Sequence, residues 1–271
     1  MKKRLLGSIV AVGLIIAVLT GCQSLPVTTG APQETKQPTA AVASKEVNEA
    51  DILYVHAYLQ TLSGGFTDTI EEYAVQQGLT VDEFRSLCEK AAADMTEEEL
   101  AKMNAIRDQQ WKPDGDTLMQ KVITMYDMGK YLSGEYKTPK GFISVCADVK
   151  QYETVQDMYY GLRLDYEGTY FKPEGESYAV IRFYAANVDQ AVVPKSSANG
   201  GDVEDPYPFG GVGFTTGTNG RWGSPEWVMS EFTILNDGAQ LFEDGKEVLR
   251  GVYVAEAGRF LAIEEMESVE G

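Results

Sequence analysis

The sequence contains few of the residues that metal sites and nucleophilic active sites commonly use. It has one histidine, His56, and three cysteines in 271 residues. A zinc site with two or more histidine ligands and a four-cysteine zinc site are therefore excluded, and we expect no metal cofactor. A Ser-His-Asp or Cys-His mechanism would depend on His56, which lies among apolar residues in a helical pattern.

Basic residues are also scarce. Lys and Arg total 23 against 41 Asp and Glu, which gives a formal net charge of −18. No basic stripe is left to neutralise phosphates, and this argues against nucleic acid as a partner. The glycine-rich phosphate motifs are missing as well, because neither a Gly-Lys-Ser/Thr sequence nor a Gly-x-Gly-x-x-Gly fingerprint occurs.

The N-terminus has the organisation of a secretory signal. Lys2, Lys3 and Arg4 precede an apolar segment, 5–19, which is shorter than the ~20 residues that a membrane span needs. The next residues, Leu19-Thr20-Gly21-Cys22, resemble the lipobox of bacterial lipoproteins. That resemblance implies cleavage before Cys22, attachment of lipid to Cys22, and a location on the extracytoplasmic face of the cell membrane or cell envelope. An uncleaved anchor helix is the alternative.

Residues 22–46 are predicted to form a flexible tether. Between Gln23 and Ala43 there are prolines and hydroxyl residues but no aromatic side chain, so this segment cannot bury enough surface to fold. Removal of residues 1–21 takes away three positive charges and leaves 41 acidic residues in the mature chain. Lipid rather than charge must then hold the protein at an anionic membrane.

Residues 47–134 are predicted to form a helical portion. Apolar residues recur there at three- and four-residue spacing, and Thr80 and Thr96 each begin a capping box that opens an amphipathic segment. A further helix is predicted from Asp116 to Leu132.

Residues 135–271 are predicted to be rich in strands. Short runs of β-branched and aromatic residues alternate there with turn signals, and one short helix begins at Thr154. We therefore expect an α+β fold with the helical portion packed on a mixed or antiparallel sheet, continuous or split. The predicted strands are 142–146, 178–184, 227–229, 232–235, 246–254 and 259–263. For Cys88 and Cys146, two buried thiols and one disulfide are both left open.

Three features of the strand-rich portion are candidates for ligand binding or catalysis. Arg182 lies in a strand pattern that places it on one side with Val180 and Tyr184, where its guanidinium would hold an anionic ligand or form a structural ion pair. Phe214-Thr215-Thr216 follows a glycine-rich stretch that either approaches a ligand or forms a plain hairpin. Glu247 opens an apolar strand, either as a reactive carboxylate or as an exposed edge residue.

Taken in order, these features resemble the three-part signature of ADP-ribosyltransferase toxins. The resemblance implies that Arg182, Phe214, Thr215 and Thr216 bind NAD, and that Glu247 is the catalytic carboxylate during nicotinamide release. A fixed carboxylate stabilises the oxocarbenium-like ribose of that reaction. Gly245 stands where transferases usually carry a second Glu or Gln, which leaves transfer to an acceptor, NAD hydrolysis and an inactive site open.

Other residues and another class of protein compete with this interpretation. Arg163 is a second candidate for the arginine, and Glu226, beside Trp227, is a second candidate for the carboxylate. The competing class is a binding or structural lipoprotein that engages a protein or a small molecule without turnover. The two classes differ in geometry, since the enzyme needs Arg182, Thr215 and Glu247 in one cleft.

The lipobox resemblance makes a prediction about Cys22. We expect the Cys22→Ser protein to be released or mislocalised while its domain keeps the wild-type melting temperature, because the tether separates the anchor from the domain. Membrane fractionation and mass spectrometry of the mature N-terminus measure this. Wild-type protein with an unmodified Cys22 or a retained Met1 would contradict it.

Overall fold

The computed structural model describes residues 55–166, 168–175, 177–201, 210–215, 223–243 and 247–267. The predicted signal peptide, the tether and Thr216 lie outside these ranges. All described residues belong to one compact unit. Within them, no helix is both long enough and apolar enough to span a bilayer.

A seven-stranded antiparallel sheet is built from the described residues. Its strands are β1 (Met119–Ile123), β2 (Gly141–Val145), β3 (Ala179–Phe183), β4 (Trp227–Met229), β5 (Gln240–Glu243), β6 (Val248–Val254) and β7 (Arg259–Ala262). They lie in the order β4-β2-β1-β3-β5-β6-β7. The expected α+β fold is therefore confirmed.

Within the described residues, four helices precede the first strand in the chain, three lie between strands and one follows the last strand. The helices of the described residues are α1 (His56–Leu59), α2 (Phe66–Gln76), α3 (Val81–Cys88), α4 (Glu97–Arg107), α5 (Met125–Leu132), α6 (Cys146–Val149), α7 (Val155–Gly161) and α8 (Ile263–Glu267). The capping boxes predicted at Thr80 and Thr96 are confirmed and open α3 and α4, and the short helix predicted to begin at Thr154 is α7, which a capping box also opens. Each capping box satisfies amide groups that the first helical turn leaves without a partner.

The middle of the sheet is buried on both faces. All five residues of β3 are buried, and their alternation is the one predicted: Ile181 packs in one apolar cluster and Val180 in another. Tyr131 of α5 packs in the Ile181 cluster, and Met158 of α7 packs in the Val180 cluster. Helices α2, α3 and α4 form a third cluster with Val212 and Phe214.

The predicted helix from Asp116 to Leu132 is wrong in its first half. Met119–Ile123 forms β1, a central strand that pairs with β2 and β3, and only Met125–Leu132 is helical. Methionine, glutamine and lysine are good helix formers, so local propensity concealed the strand, and pairing on both sides decided its conformation. Because β1 lies in the predicted helical portion, the two predicted portions share one sheet.

Two further differences concern the strand-rich portion. Residues 232–235 do not form a strand; Leu235 makes an isolated bridge to Ala185, and the amide of Thr233 bonds to the carbonyl of Pro139. Strand β5 was not predicted, because its sequence Gln-Leu-Phe-Glu is too short to show a pattern. Cys88 and Cys146 are both buried and are not joined to each other, so the disulfide alternative is wrong.

Candidate functional site

Arg182 is buried in the centre of the sheet. It pairs with Gln120 on β1 and Gln240 on β5, is 1% exposed, and its Cζ lies 5.1 Å from the centroid of the Phe242 ring. The guanidinium therefore makes a cation–π contact inside the protein. A dinucleotide would reach this group only after the covering elements had moved.

Phe214 and Thr215 hold the segment 210–215 in place. Phe214 packs against Phe66 and Phe84, with each pair of ring centroids 5.3 Å apart. The Thr215 hydroxyl donates to the Gly161 carbonyl at 2.6 Å and accepts from the Ser224 amide at 2.7 Å. Both of these side chains are buried, and their contacts stabilise the fold. Thr216, the remaining predicted residue of this group, is outside the described residues.

Glu247 is an exposed residue in the turn that leads into β6. Its φ of 49° is in the left-handed region, which a non-glycine residue adopts only where the surroundings enforce it. The next residue, Val248, pairs with Glu243 at one end of β5, whereas Arg182 pairs with Gln240 at the other end. At about 3.3 Å per residue, Arg182 and Glu247 are separated by roughly 10 Å or more along the sheet.

The two alternative residues, Arg163 and Glu226, come close to each other and to Arg107. All three interact electrostatically, since both guanidinium groups act on the Glu226 carboxyl. Arg163 is buried, bonds through Nε to Asp165 at 2.9 Å, and has a φ of 52°. This site, the arginine cluster, comprises Arg107, Arg163, Glu226 and the nearby buried Asp148.

Arg107 connects helix α4 to the segments around residues 213 and 226. Its Nε donates to the Gly213 carbonyl and its Nη2 to the Glu226 carbonyl, both at 2.8 Å, while its Cζ lies 4.3 Å from the Trp227 ring centroid. The sequence contained one signal for this buried arginine. It follows Met103 and Ile106 at the spacing of the buried face of α4.

Burial shifts the ionisation of the arginine cluster toward neutral forms. Burial raises the pKa of Asp148 to about 7, although a hydrogen bond from the Phe66 amide partly opposes this shift. Burial also raises the pKa of Glu226 to about 7, although the positive charge of Arg107 partly opposes it. Burial lowers the pKa of Arg107 to about 10. Charged groups in a low-dielectric interior favour their neutral forms, so both carboxyls titrate near neutral pH.

A second candidate site is a cavity at strand β1 and helix α5. This lysine pocket has a volume of about 770 Å³, within the usual range for small-molecule sites. Three lysines, two acidic residues and four aromatic rings line most of it. They are Lys121, Lys137, Lys140, Asp127, Glu135, Tyr131, Tyr136, Phe232 and Tyr253.

Lys121 occupies an unusual position on β1. It pairs with Ile181, so its side chain emerges on the apolar face that Met119 and Ile123 share, and its Nζ donates to the Phe142 carbonyl at 3.0 Å. Burial lowers the pKa of Lys121 to about 8, and the carboxylate of Asp127 partly opposes this shift. A lysine that lines a cavity with a lowered pKa is a candidate for ligand binding. Because the sequence pattern predicts a helix at this position, it does not identify Lys121 as a residue of a pocket.

A smaller cavity of about 170 Å³, the tyrosine cleft, lies next to α5 and α7. Five aromatic side chains and Lys172 contribute to its lining. The aromatic residues are Tyr126, Tyr159, Tyr170, Phe171 and Tyr178. Over the described ranges, no group of three or more His, Cys, Asp or Glu residues is arranged to hold a metal ion.

Comparisons with known proteins add no assignment. No family model matches the chain, and searches against curated proteins and solved structures give no significant match. The candidate sites therefore depend on their own geometry.

The arginine cluster predicts how stability changes with pH. A carboxyl whose pKa is raised by folding keeps its proton at a pH where the unfolded chain has lost it, so stability falls as pH rises from about 4 to about 7. Each such group contributes at most about 1.4 kcal/mol per pH unit. We expect Glu226→Gln to make this fall shallower in urea denaturation between pH 5 and 7.5. The exposed Glu231→Gln is the control, and an unchanged slope in Glu226→Gln would contradict the assignment.

NAD binding stays a prediction, and it is tested directly by nicotinamide release. A carboxylate that stabilises an oxocarbenium contributes roughly 2 kcal/mol or more, so Glu247→Gln is expected to release nicotinamide about thirtyfold more slowly than wild type. If wild type releases none, and NAD does not change its melting temperature, the enzyme hypothesis is wrong and a binding protein is the better account.

Proposed function

We propose that this protein is a lipid-anchored binding protein on the extracytoplasmic face of a bacterial envelope, and that its domain binds a small anionic ligand in the lysine pocket. The anchor rests on the resemblance of Leu19-Thr20-Gly21-Cys22 to a lipobox. The ligand class rests on the charge and shape of the pocket.

The proposal rests on Lys121, a half-buried residue that lines a cavity of about 770 Å³. An ammonium group that has lost part of its hydration interacts more strongly with an anion than an exposed one does. Lys137 and Lys140 add two exposed amino groups around the same cavity. Two carboxylates also line the pocket: Glu135 is paired with Lys130 at 3.3 Å, and Asp127 accepts from the Thr124 hydroxyl at 2.9 Å. The three lysines still exceed them by one positive charge.

The aromatic lining supports a ligand that carries a ring or another flat apolar part. Tyr131 is buried and packs edge-on against Tyr136 and Phe260, with ring centroids 5.5 and 5.7 Å apart. Phe232 is exposed and lies under the amino group of Lys140, which is 5.3 Å from the ring centroid. Fixed rings of this kind bind flat groups at little cost in side-chain entropy.

This proposal separates the binding site from the residues of the NAD hypothesis. Neither Arg182 nor Glu247 lines the lysine pocket. NAD itself carries a diphosphate and two aromatic ring systems, so it belongs among the ligands to be compared. If NAD binding depended on Lys121 and not on Glu247, NAD would be bound in the lysine pocket, without the arrangement of residues that ADP-ribosyltransferases use.

Lys121→Met tests the pocket, because it removes the charge and keeps the length of the side chain. With 8-anilinonaphthalene-1-sulfonate as a fluorescent anionic probe, we expect the variant to bind at least about tenfold more weakly, equivalent to about 1.4 kcal/mol. Wild-type affinity is expected to fall as pH rises through about 8, where Lys121 loses its proton. The variant is expected to lack that pH step.

Lys112→Met is the matched control, because Lys112 is exposed and does not line the pocket. Equal affinity of wild type and Lys121→Met at pH 7, or a pH step that persists in Lys121→Met, would overturn the proposal. A panel of carboxylates, phosphates and NAD then competes with the probe to define the ligand.

A further inference from the structure

A row of exposed tyrosine rings leads from the lysine pocket to the tyrosine cleft. Tyr136 lines the pocket, Tyr126 and Tyr170 line the cleft, and the centroids of the last two rings are 6.4 Å apart. Tyr126 is 67% exposed and Tyr170 is 79% exposed. Single exposed aromatic residues are common on protein surfaces, but a connected row between two cavities is not. We call Tyr136, Tyr126 and Tyr170 the tyrosine row.

Lys130 fixes the first two rings of this row. Its Nζ lies 4.7 Å from the centroid of Tyr136 and 4.8 Å from that of Tyr126, and it donates to the Tyr136 hydroxyl at 3.0 Å. One ammonium group therefore holds two ring faces through cation–π contacts. Rings that are ordered before binding lose less entropy when a ligand stacks on them.

The row runs between amino groups at both ends. Lys137 and Lys140 line the lysine pocket, and Lys172 lines the tyrosine cleft. The chain as a whole carries a formal charge of −18, so this concentration of lysine beside tyrosine is local. It matches a ligand whose negative charges repeat along its length.

An anionic polysaccharide combines the properties that this surface would recognise. Its carboxylate or phosphate groups would pair with the lysines, the apolar faces of its sugar rings would stack on the tyrosines, and its hydroxyl groups would bond to the phenol groups. An anionic bilayer fits less well. Stable insertion into lipid takes an apolar face of Trp, Phe and Leu side chains, whereas the exposed rings of the tyrosine row end in hydroxyl groups that a sugar chain can bond.

We propose that the lysine pocket and the tyrosine row together bind an anionic polysaccharide, with one charged sugar in the pocket and the following sugars stacked on Tyr126 and Tyr170. This inference rests on the proposed function and extends it, because it names the ligand class and a second contact surface. Affinity then increases with the number of sugars, up to the length of the row.

The test compares galacturonic acid, its trimer and its hexamer by calorimetry with the full chain in mild detergent. We expect wild type to bind the hexamer at least tenfold more tightly than the monomer. The double variant Tyr126→Ala with Tyr170→Ala is expected to keep the monomer affinity within twofold and to lose the gain with length. Replacing both tyrosines by Phe is expected to retain most of that gain, because the rings still stack.

Two controls separate this inference from the pocket and from folding. Lys121→Met is expected to weaken binding at every length, because it acts on the pocket. Trp111→Ala removes an exposed aromatic residue that lines neither cavity, and it is expected to change nothing. Malto-oligosaccharides of the same lengths, which are neutral, are expected to bind at least tenfold more weakly.

Several outcomes would overturn the inference. If the probe sulfonate binds through Lys121 but the monomer and hexamer bind equally or not at all, the pocket proposal stands and the polysaccharide is wrong. If poly-glutamate binds as tightly as the hexamer, charge alone is recognised. If phosphatidylglycerol vesicles, and not the hexamer, protect residues 125–137 from hydrogen exchange, the row contacts membrane instead. If neither the probe nor any sugar binds, both proposals are wrong.

Discussion

The pairing of β1 with β3 is the constraint on which the rest of the structure depends. Met119, Lys121 and Ile123 lie opposite Phe183, Ile181 and Ala179, so a lysine shares the apolar face of the sheet with two core residues. A shift of one residue in this register would send Lys121 to the opposite face, toward the Val180 cluster, and would move Met119 and Ile123 out of the Ile181 cluster. The same register places Gln120 beside Arg182 on that opposite face. The position of the pocket lysine and the burial of the arginine thus follow from one set of strand contacts.

Charge is distributed unevenly over this acidic chain. The overall charge of −18 repels anions at long range, but salt screens that repulsion beyond about 8–10 Å. Within that distance, Lys121, Lys137 and Lys140 face the lysine pocket and Lys172 faces the tyrosine cleft. The proposed anionic ligand would therefore be held by short-range contacts rather than by the general field. This arrangement favours ligands that fit the pocket over anions in general.

The arginine cluster has a different physical role from the lysine pocket. Arg107 connects the end of α4 to the carbonyls of Gly213 and Glu226, and it lies against Trp227 of β4. It joins the N-terminal helices to a strand of the sheet through directional bonds, in addition to their apolar contacts. A buried charge is costly to desolvate, and the two hydrogen bonds of Arg107 offset part of that cost. The near-neutral carboxyls Asp148 and Glu226 follow from that burial.

The features that depend only on neighbours in the chain could be predicted from the sequence. The capping boxes at Thr80, Thr96 and Thr154, and the alternation of Val180, Ile181 and Arg182 along β3, are local patterns that survive in the structure. Tertiary structure alone decided that β1 is a strand, that Arg107 and Arg163 approach Glu226, and that Lys121 faces a cavity between tyrosine rings. Strand pairing outweighs the helical preference of methionine, glutamine and lysine. The desolvation of a side chain depends on distant residues that no local pattern contains.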